Sequence, residues 1–261
     1  MFETVRLYGG RPFDLAEHLA RLSANLAALE YTYRPDPDEI RDILDELSRR
    51  NDLAGTDARC RITVSRGGSA DNPLPLSRHG ELPPTLSIYL VPLDPDLIIW
   101  QRDGIAVRSM RSGFSRGNFP HLKTLNYLTT VTALRLAHAS GCREALLIDA
   151  DDLVLECATS NIFIVRDGEL HTPPLDLGLL AGRTRSTVLA VAEAEGIPTR
   201  QSPFTIAETC GADEAFLSGS VKEIVPIVTV DGRPVGDGAP GPVTRLLQNK
   251  YRRGVMDALG G

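Results

Sequence analysis

Apolar positions along the chain follow two spacings, one typical of strands and one typical of helices. Near the N-terminus, residues 2–8 (FETVRLY) form a strand-like segment. Residues 15–29 then place a leucine at every third or fourth position, after a candidate capping residue, Asp14. A second amphipathic segment covers residues 35–50. We therefore predict one strand followed by two helices at the start of the chain.

The rest of the chain mixes short strand patterns with helix patterns. We expect helices over residues 124–141, 184–196 and 241–255, a short helical turn near IAETCG, and strands at CRITVS, TLSIYLV, LIIW, GIAVRSM, EALLIDA, SNIFIVR, ELHT, EAFLSG and IVPIVTV. This mixture predicts the α/β (α+β) fold class. The segment RSGFSRGNFPHL has no periodicity and is rich in Gly, Ser and Arg, so it is the candidate connection between two domains.

Composition narrows the classes of function. The chain has 261 residues, of which 42% are hydrophobic and 24% are charged, which is enough for one large or two modest domains. The net charge of −6 and the lack of a basic stripe argue against binding to nucleic acid or to acidic membranes. We find no membrane-span pattern and no signal peptide, which predicts a cytoplasmic protein. The four scattered cysteines predict reduced thiols, and we predict no metal site.

Lysine is rare among the basic residues. Of 28 Lys plus Arg residues, only Lys123, Lys222 and Lys250 are lysine, and Lys123 is the only lysine in the first 221 positions. When the pKa of an amine is lowered, the amine can attack a carbonyl and form a Schiff base, which a guanidinium cannot do. Lys123 is therefore the candidate catalytic residue, with an ordinary surface lysine as the alternative.

Three later segments could add charged or anion-binding groups. Glu156 lies in the apolar run LVLECATSNIF, where burying it is costly unless it faces a cation or a protonated ring nitrogen. Gly182 and Thr184 begin a predicted helix whose first amides suit a phosphate. The turn at residues 218–220 could bind an anion. A half-exposed strand end, a plain helix start and a plain hairpin turn are the alternatives. An amine, a carboxylate and two anion sites together match what pyridoxal phosphate requires.

At these residues the chain resembles the class IV (fold-type IV) pyridoxal-phosphate aminotransferases, a group with branched-chain and D-amino-acid aminotransferases and aminodeoxychorismate lyases. The resemblance runs through FETVRLYGGRPFDLAEHLARL, HLKTLNYL, EALLIDADDLVLECATSNIFIVRDGELHTPP, LLAGRTR, ADEAFLSGSVKEIVPI and GPVTRLLQ. It implies a smaller N-terminal domain of sheet and helices over residues 1–108, an interdomain loop over 109–121, and a larger C-terminal pseudo-barrel domain over 122–261. It also implies pyridoxal 5'-phosphate as cofactor, bound between the domains, and a homodimer.

The resemblance assigns roles to individual residues. Lys123 would hold the internal aldimine and move a proton between the substrate α-carbon and the cofactor, and Glu156 would pair with the pyridine nitrogen. Five further residues would bind the cofactor phosphate: Arg21, Arg183, Thr184, Gly219 and Ser220. Leu180 would pack on the cofactor ring and Tyr127 would lie near its phenolic oxygen. A solvated helix position for Arg21 and a core aromatic position for Tyr127 remain open.

Two features depart from the family pattern. Relatives carry another strand and turn before the phenylalanine that corresponds to Phe2, so we expect that this sequence lacks the family's first strand. We hypothesise that Met1 is an internal methionine of a longer protein. Arg183 also stands where isoleucine is customary. Its backbone amide can still serve, and its added positive charge could strengthen the hold on the phosphate.

The choice of substrate rests on fewer residues. Arg61 and the amides of Ser220 and Val221 are the candidate binding groups for a substrate carboxylate, with a surface charge as the alternative for Arg61. Asp71 and Pro73 stand where D-amino-acid enzymes carry an arginine and a histidine, which disfavours a D-amino acid. We predict transfer of an amino group from a branched-chain or other apolar L-amino acid to a 2-oxo acid. A lyase forming 4-aminobenzoate from aminodeoxychorismate and a non-catalytic scaffold are the alternatives.

Overall fold

The computed structural model describes residues 1–67, 84–111, 119 and 121–260, and the chain forms two compact units. The first unit contains Met1–Asp94 and Leu122–Leu125, and the second contains Pro95–His121 and Asn126–Gly261. The first unit thus ends before the predicted boundary at residue 108, because the strand at Ile105–Met110 pairs with strands of the second unit. Most of the predicted loop at 109–121, as well as Asp71 and Pro73, lies outside the described residues.

The first unit combines an antiparallel sheet with two helices. Its described strands follow the order β2-β1-β3-β4. The inward positions of β1, including Val5 and Leu7, join the leucines of α1 in one apolar core, which confirms the predicted strand and amphipathic helix. The elements are β1 (Phe2–Tyr8), β2 (Arg11–Pro12), α1 (Leu15–Ala28), α2 (Pro37–Arg50), β3 (Ala58–Ser65) and β4 (Thr85–Pro92).

The two helices of this unit begin differently. Asp14 occupies the N-cap position of α1 as predicted, but its φ of 58° lies in the left-handed region and its side chain makes no cap hydrogen bond. The expected capping interaction is therefore wrong. In α2, by contrast, the Asp36 side chain accepts hydrogen bonds from the amides of Asp38 and Glu39, and Pro37 follows at the first helical position.

The second unit is a mixed, curled sheet with helices. The order of its described strands is β10-β9-β8-β11-β12-β5-β6-β7, with β13 paired to β12. Phe163 of β8 stacks on Phe216 of β11 with ring centres 4.9 Å apart, which marks the core. The elements are α3 (Leu97–Asp103), β5 (Ile105–Met110), α4 (Leu128–Ala139), β6 (Glu144–Ile148), β7 (Val154–Cys157), β8 (Asn161–Arg166), β9 (Glu169–Thr172), α5 (Arg183–Ala194), β10 (Thr199–Gln201), α6 (Ile206–Cys210), β11 (Glu214–Gly219), β12 (Glu223–Val230), β13 (Arg233–Pro234) and α7 (Pro242–Ala258).

The segment LIIW, predicted as a strand, belongs to helix α3. Its buried residues Leu97 and Gln101 are four positions apart, a helical spacing, whereas Ile98 and Ile99 are exposed. Gly104 follows the helix with φ 83°, a value that glycine adopts readily. Helix α4 also begins later than predicted, at Leu128.

A buried side chain fixes the start of the last helix. The Glu214 carboxylate of β11 accepts hydrogen bonds from the amides of Val243 and Thr244 in the first turn of α7. Gly241 lies so close that a Cβ there would be 2.1 Å from Glu214 Cδ. Among the described residues, no helix is both long enough and apolar enough to cross a bilayer.

Candidate active site

Glu156 lies on β7 in the interior of the second unit. Its side chain is only 2% exposed. Its Oε2 accepts long hydrogen bonds, both of 3.4 Å, from Asn161 Nδ2 and from the Leu180 amide. Asn161 Nδ2 also donates to the Leu180 carbonyl oxygen at 3.0 Å. Burying a carboxylate is costly unless it faces a cation, so this position suits a cationic partner.

Gly182, the N-cap residue of α5, packs directly on Asn161. A Cβ at this position would lie 2.0 Å from Asn161 Oδ1, so the contact requires glycine. The amides of Arg183 and Thr184 lie in the first turn of α5, where no helical acceptor is available to them. With the positive end of the helix dipole, these amides can bind a phosphate.

The end of β11 approaches the same asparagine. Ser218 pairs with Asn161 across β11 and β8, and a Cβ at Gly219 would lie 3.2 Å from Ser160 Oγ. The hydroxyl oxygens of Ser160 and Ser218 are buried and have no hydrogen-bond partner among the described residues. Two orphan hydroxyl groups beside a closely packed glycine turn fit a bound anion such as the phosphate of the cofactor.

Ser160 and Asn161 therefore organise a single region of the second unit. It brings together these predicted residues: Glu156, Leu180, Arg183, Thr184 and Gly219, with Ser220 and Val221 in the turn that follows. Ser160 and Asn161 were not predicted, although a polar pair directly before the apolar run IFIV is a recognisable signal. Tyr127 is half-buried at the N-cap position of α4, so it precedes the helix on which we expected it.

Lys123 belongs to the first unit, in a segment attached to β1. Its carbonyl oxygen accepts a hydrogen bond of 3.1 Å from the Phe2 amide. Its Nζ lies 4.6 Å from the centre of the Phe2 ring, and Cζ of Arg61 lies 3.7 Å from the same centre. The structure thus places two predicted site residues against one buried aromatic ring. Phe2 itself was not predicted as a site residue.

Arg21 forms a buried ionic cluster with Glu3 and His18, two residues that the sequence analysis missed. Arg21 Nε and Nη2 donate to the two Glu3 carboxylate oxygens, each at 2.7 Å, and His18 Nδ1 lies 2.7 Å from Glu3 Oε2. Burial would raise the pKa of Glu3, but the hydrogen bonds of His18 and Arg21 outweigh it and lower this pKa from 4.5 to about 2. Glu3 therefore stays ionised and fixes the plane of the Arg21 guanidinium.

Comparison with known proteins gives a family and several relatives. The model of the class IV aminotransferases matches residues 1–230. A putative branched-chain aminotransferase of Methanocaldococcus jannaschii is 36% identical over 97% of this chain and 85% of its own length. A D-alanine aminotransferase of Listeria innocua is 32% identical over 100% of this chain and 88% of its own. An aminodeoxychorismate lyase of Bacillus subtilis is 31% identical over 99% of this chain and 86% of its own length.

Solved structures agree with the fold. The holo form, with pyridoxal phosphate, of a branched-chain aminotransferase from Thermobaculum terrenum has a TM-score of 0.80 and 30% identity to this chain. The match covers 97% of this chain and 84% of that protein. The family model and the solved structure each match most of the sequence. The chain therefore belongs to the class IV aminotransferases, a family of pyridoxal-phosphate-dependent enzymes.

Proposed function

We propose that this protein is an aminotransferase that binds pyridoxal 5'-phosphate through Lys123. It would move an amino group from a branched-chain or other apolar L-amino acid to a 2-oxo acid. One observation carries the proposal: buried Glu156 and two turns suited to an anion converge on Ser160 and Asn161. A carboxylate for a protonated ring nitrogen and donors for a phosphate are the two binding features that this cofactor needs.

Each residue has a defined task in this proposal. The bound cofactor supplies an electron sink for the bonds at the substrate α-carbon. Glu156 accepts a hydrogen bond from the protonated ring nitrogen, and Leu180 covers one face of the ring. The phosphate is held by the Arg183 and Thr184 amides, by Gly219 and Ser220, and by Arg21, whose plane Glu3 fixes. Lys123 attaches the cofactor and carries the proton at the α-carbon. Tyr127 remains a proposed neighbour of the phenolic oxygen.

Cofactor attachment has a direct test. The purified protein should be yellow, and reduction with borohydride should bleach it and add the cofactor mass to the peptide that contains Lys123. A colourless protein, or a label on Lys222 or Lys250 instead, would contradict the proposal. The same sample serves the substrate tests, because reduction of only part of it leaves active enzyme for comparison.

The substrate is proposed from Arg61, which would support the carboxylate together with the Ser220 and Val221 amides. The relatives named as branched-chain and D-alanine aminotransferases define the two donors to compare. With 2-oxoglutarate as acceptor, L-isoleucine should yield glutamate at least about tenfold faster than D-alanine, which corresponds to about 1.4 kcal/mol of transition-state binding. The reverse order would overturn the preference for an apolar L-amino acid and leave aminotransfer intact.

A lyase is the second candidate, favoured by the relative named as an aminodeoxychorismate lyase. Such an enzyme would use the same cofactor and Lys123, but it would release pyruvate and 4-aminobenzoate. Incubation with aminodeoxychorismate, followed by chromatography for 4-aminobenzoate, separates the two activities. Formation of 4-aminobenzoate without any glutamate from isoleucine would favour the lyase.

We also propose a cytoplasmic homodimer, with the two compact units as the small and large domains of each subunit. Helix α4 carries Leu128, Val131 and Leu136 with large exposed fractions, of which Leu128 at 77% is the largest. Exposed apolar groups on one helix favour an interface between copies of the chain. Sedimentation of the purified protein should give a dimer, and Leu128→Asp should shift it towards monomer. A wild-type monomer at micromolar concentration would contradict this part.

A further inference from the structure

The turn between β11 and β12 ends in two oppositely charged residues that the proposed function does not use. Gly219 pairs with Glu223 across the two strands, so residues 220–222 form the connection. Lys222 and Glu223 close this turn, immediately after the residues proposed to hold the phosphate. Their side chains contact different elements of the second unit.

Lys222 ties the turn to one side of the unit. Its Nζ donates to Glu144 Oε2 at 2.6 Å and to Thr159 Oγ1 at 2.8 Å, and Thr159 Oγ1 donates to the same carboxylate oxygen at 2.7 Å. Glu144 is fully buried at the start of β6. Thr159 directly precedes Ser160 and Asn161, so this cluster joins the turn to the residues that organise the site.

Glu223 ties the turn to the other side. Its Oε2 accepts hydrogen bonds from Gln101 Nε2 of α3 at 3.1 Å and from Arg252 Nε of α7 at 2.9 Å. Arg252 Nη2 also donates to Gln101 Oε1 at 2.6 Å, which closes a second cluster. Gln101 Nε2 donates in addition to the backbone oxygen of Lys222 at 2.9 Å.

The backbone of Glu223 explains why such a cluster is needed. Its φ is 58°, in the left-handed region where hairpin turns of this kind usually place glycine. A side chain with a Cβ is held there because its carboxylate is bound by two other elements. Strain of this type persists where the surroundings over-determine the conformation, and it is common beside functional sites.

We propose that Lys222 and Glu223 are positioning residues that hold Gly219, Ser220 and Val221 in a phosphate-binding conformation. The inference rests on the proposed function, in which this turn binds the cofactor phosphate. Donors that are aimed in advance bind an anion better than donors that must be ordered on binding. Loss of the contacts of Lys222 or of Glu223 should therefore weaken binding of the phosphate group specifically, and not binding of the cofactor ring.

The test compares two ligands that differ only in the phosphate. The double variant Lys222→Met/Glu144→Gln removes both charges, so that no buried charge is left unpaired. Titration with pyridoxal 5'-phosphate and with pyridoxal, followed by absorbance, should show an approximately tenfold higher Kd for the phosphorylated ligand only. The control is Lys250→Met/Glu195→Gln, which removes another Lys–Glu pair, of 2.7 Å, and should leave both Kd values unchanged. Equal losses for both ligands, or no loss, would overturn the inference.

A second variant tests the same inference if the double variant folds poorly. Glu223→Gly keeps the left-handed backbone accessible and removes the side chain with its carboxylate, so the phosphate-specific loss should recur without loss of fold. An unchanged ratio of the two Kd values in this variant would contradict the role of Glu223. A wild-type protein that binds neither ligand would instead contradict the proposed function itself, and the inference with it.

Discussion

The Lys123 region of the first unit and the Glu156 region of the second unit differ in the interactions that hold their residues in place. In the first, charged side chains form ion pairs and ring contacts, as in the cluster of Glu3, His18 and Arg21. In the second, the ion pairs of Lys222 and Glu223 hold one turn, but the contacts at Asn161 and Ser160 depend on the shape of the backbone, because Gly182 and Gly219 pack on them with little or no space for a Cβ.

This difference predicts how each region tolerates change. A site built from ion pairs should respond to loss of a charge and to pH, since its energy is electrostatic. A site built from close backbone contacts should respond to one added methyl group, which leaves the charge unchanged. The comparison fails if both regions respond alike to both kinds of substitution.

The largest effect is expected from Lys123→Arg. The substitution keeps the positive charge but removes the amine that is proposed to attach the cofactor and move the proton, so kcat should fall at least about a thousandfold. Steady-state kinetics with L-isoleucine and 2-oxoglutarate measure the loss. Lys250→Arg is the matched control and should keep wild-type activity, because its partner Glu195 can pair with either cation. An active Lys123→Arg enzyme would remove the central role assigned to Lys123.

Glu3→Gln should cause the largest loss of stability. The folded-state pKa of Glu3, about 2, lies below its ordinary value of 4.5. The ionised carboxylate therefore stabilises the fold above about pH 4.5, and this contribution disappears as the pH falls towards 2. The substitution should lower the free energy of unfolding by about 3 kcal/mol at pH 7.

Urea unfolding between pH 7 and pH 3 tests this expectation. The difference between wild type and Glu3→Gln should shrink below pH 4.5. Glu46→Gln on α2, which removes only solvent-screened pairs with Arg49 and Arg50, should leave stability nearly unchanged. A difference that stays constant down to pH 3 would mean that Glu3 acts through packing instead of charge.

Gly182→Ala tests the second region by shape alone. The new Cβ would collide with Asn161 Oδ1, which must move away from Glu156 and Leu180. We expect a loss of about 1–3 kcal/mol in stability and a weaker affinity for pyridoxal 5'-phosphate. Gly254→Ala is the control. It lies inside α7, and apart from its chain neighbours and its own helix backbone no atom of the described residues lies within 4 Å of the added Cβ. The substitution should stabilise the fold by about 0.5–1 kcal/mol. If Gly182→Ala is equally harmless, close packing does not define this site.

The sequence predicted the elements of both units better than their details. The spacing of leucines located α1, because burial of one helix face imposes that spacing, and the strand-like segment FETVRLY located β1. The strand prediction for LIIW was wrong because four consecutive apolar residues fit a strand or a helix. Only the burial of Leu97 and Gln101, four positions apart, identifies the helix. The αL conformation of Asp14 does not follow from its capping preference.

For the candidate site, the sequence singled out individual residues but not their partners. Lys123 was proposed from its rarity and Glu156 from its apolar neighbours, and both assignments stay predictions. Glu3 stands at an inward position of β1, but its partners His18 and Arg21 lie 15 and 18 residues away, so their pairing requires the fold. The role of Asn161 depends on Gly182 and Leu180, which approach it only after α5 and β8 are in place.

The smallest expected effect returns to the first region and concerns substrate binding. Arg61→Lys keeps the charge but loses the planar group over the Phe2 ring, and an ammonium stacks less well and presents no fork to a carboxylate. The KM for the amino acid should rise about tenfold with a smaller change in kcat, which corresponds to about 1.4 kcal/mol of binding. Arg59→Lys, two positions earlier on the same strand and exposed, should leave KM unchanged. Equal effects of the two substitutions would show that the charge of this strand matters more than the ring contact, and Arg61 would then lose its proposed role at the carboxylate.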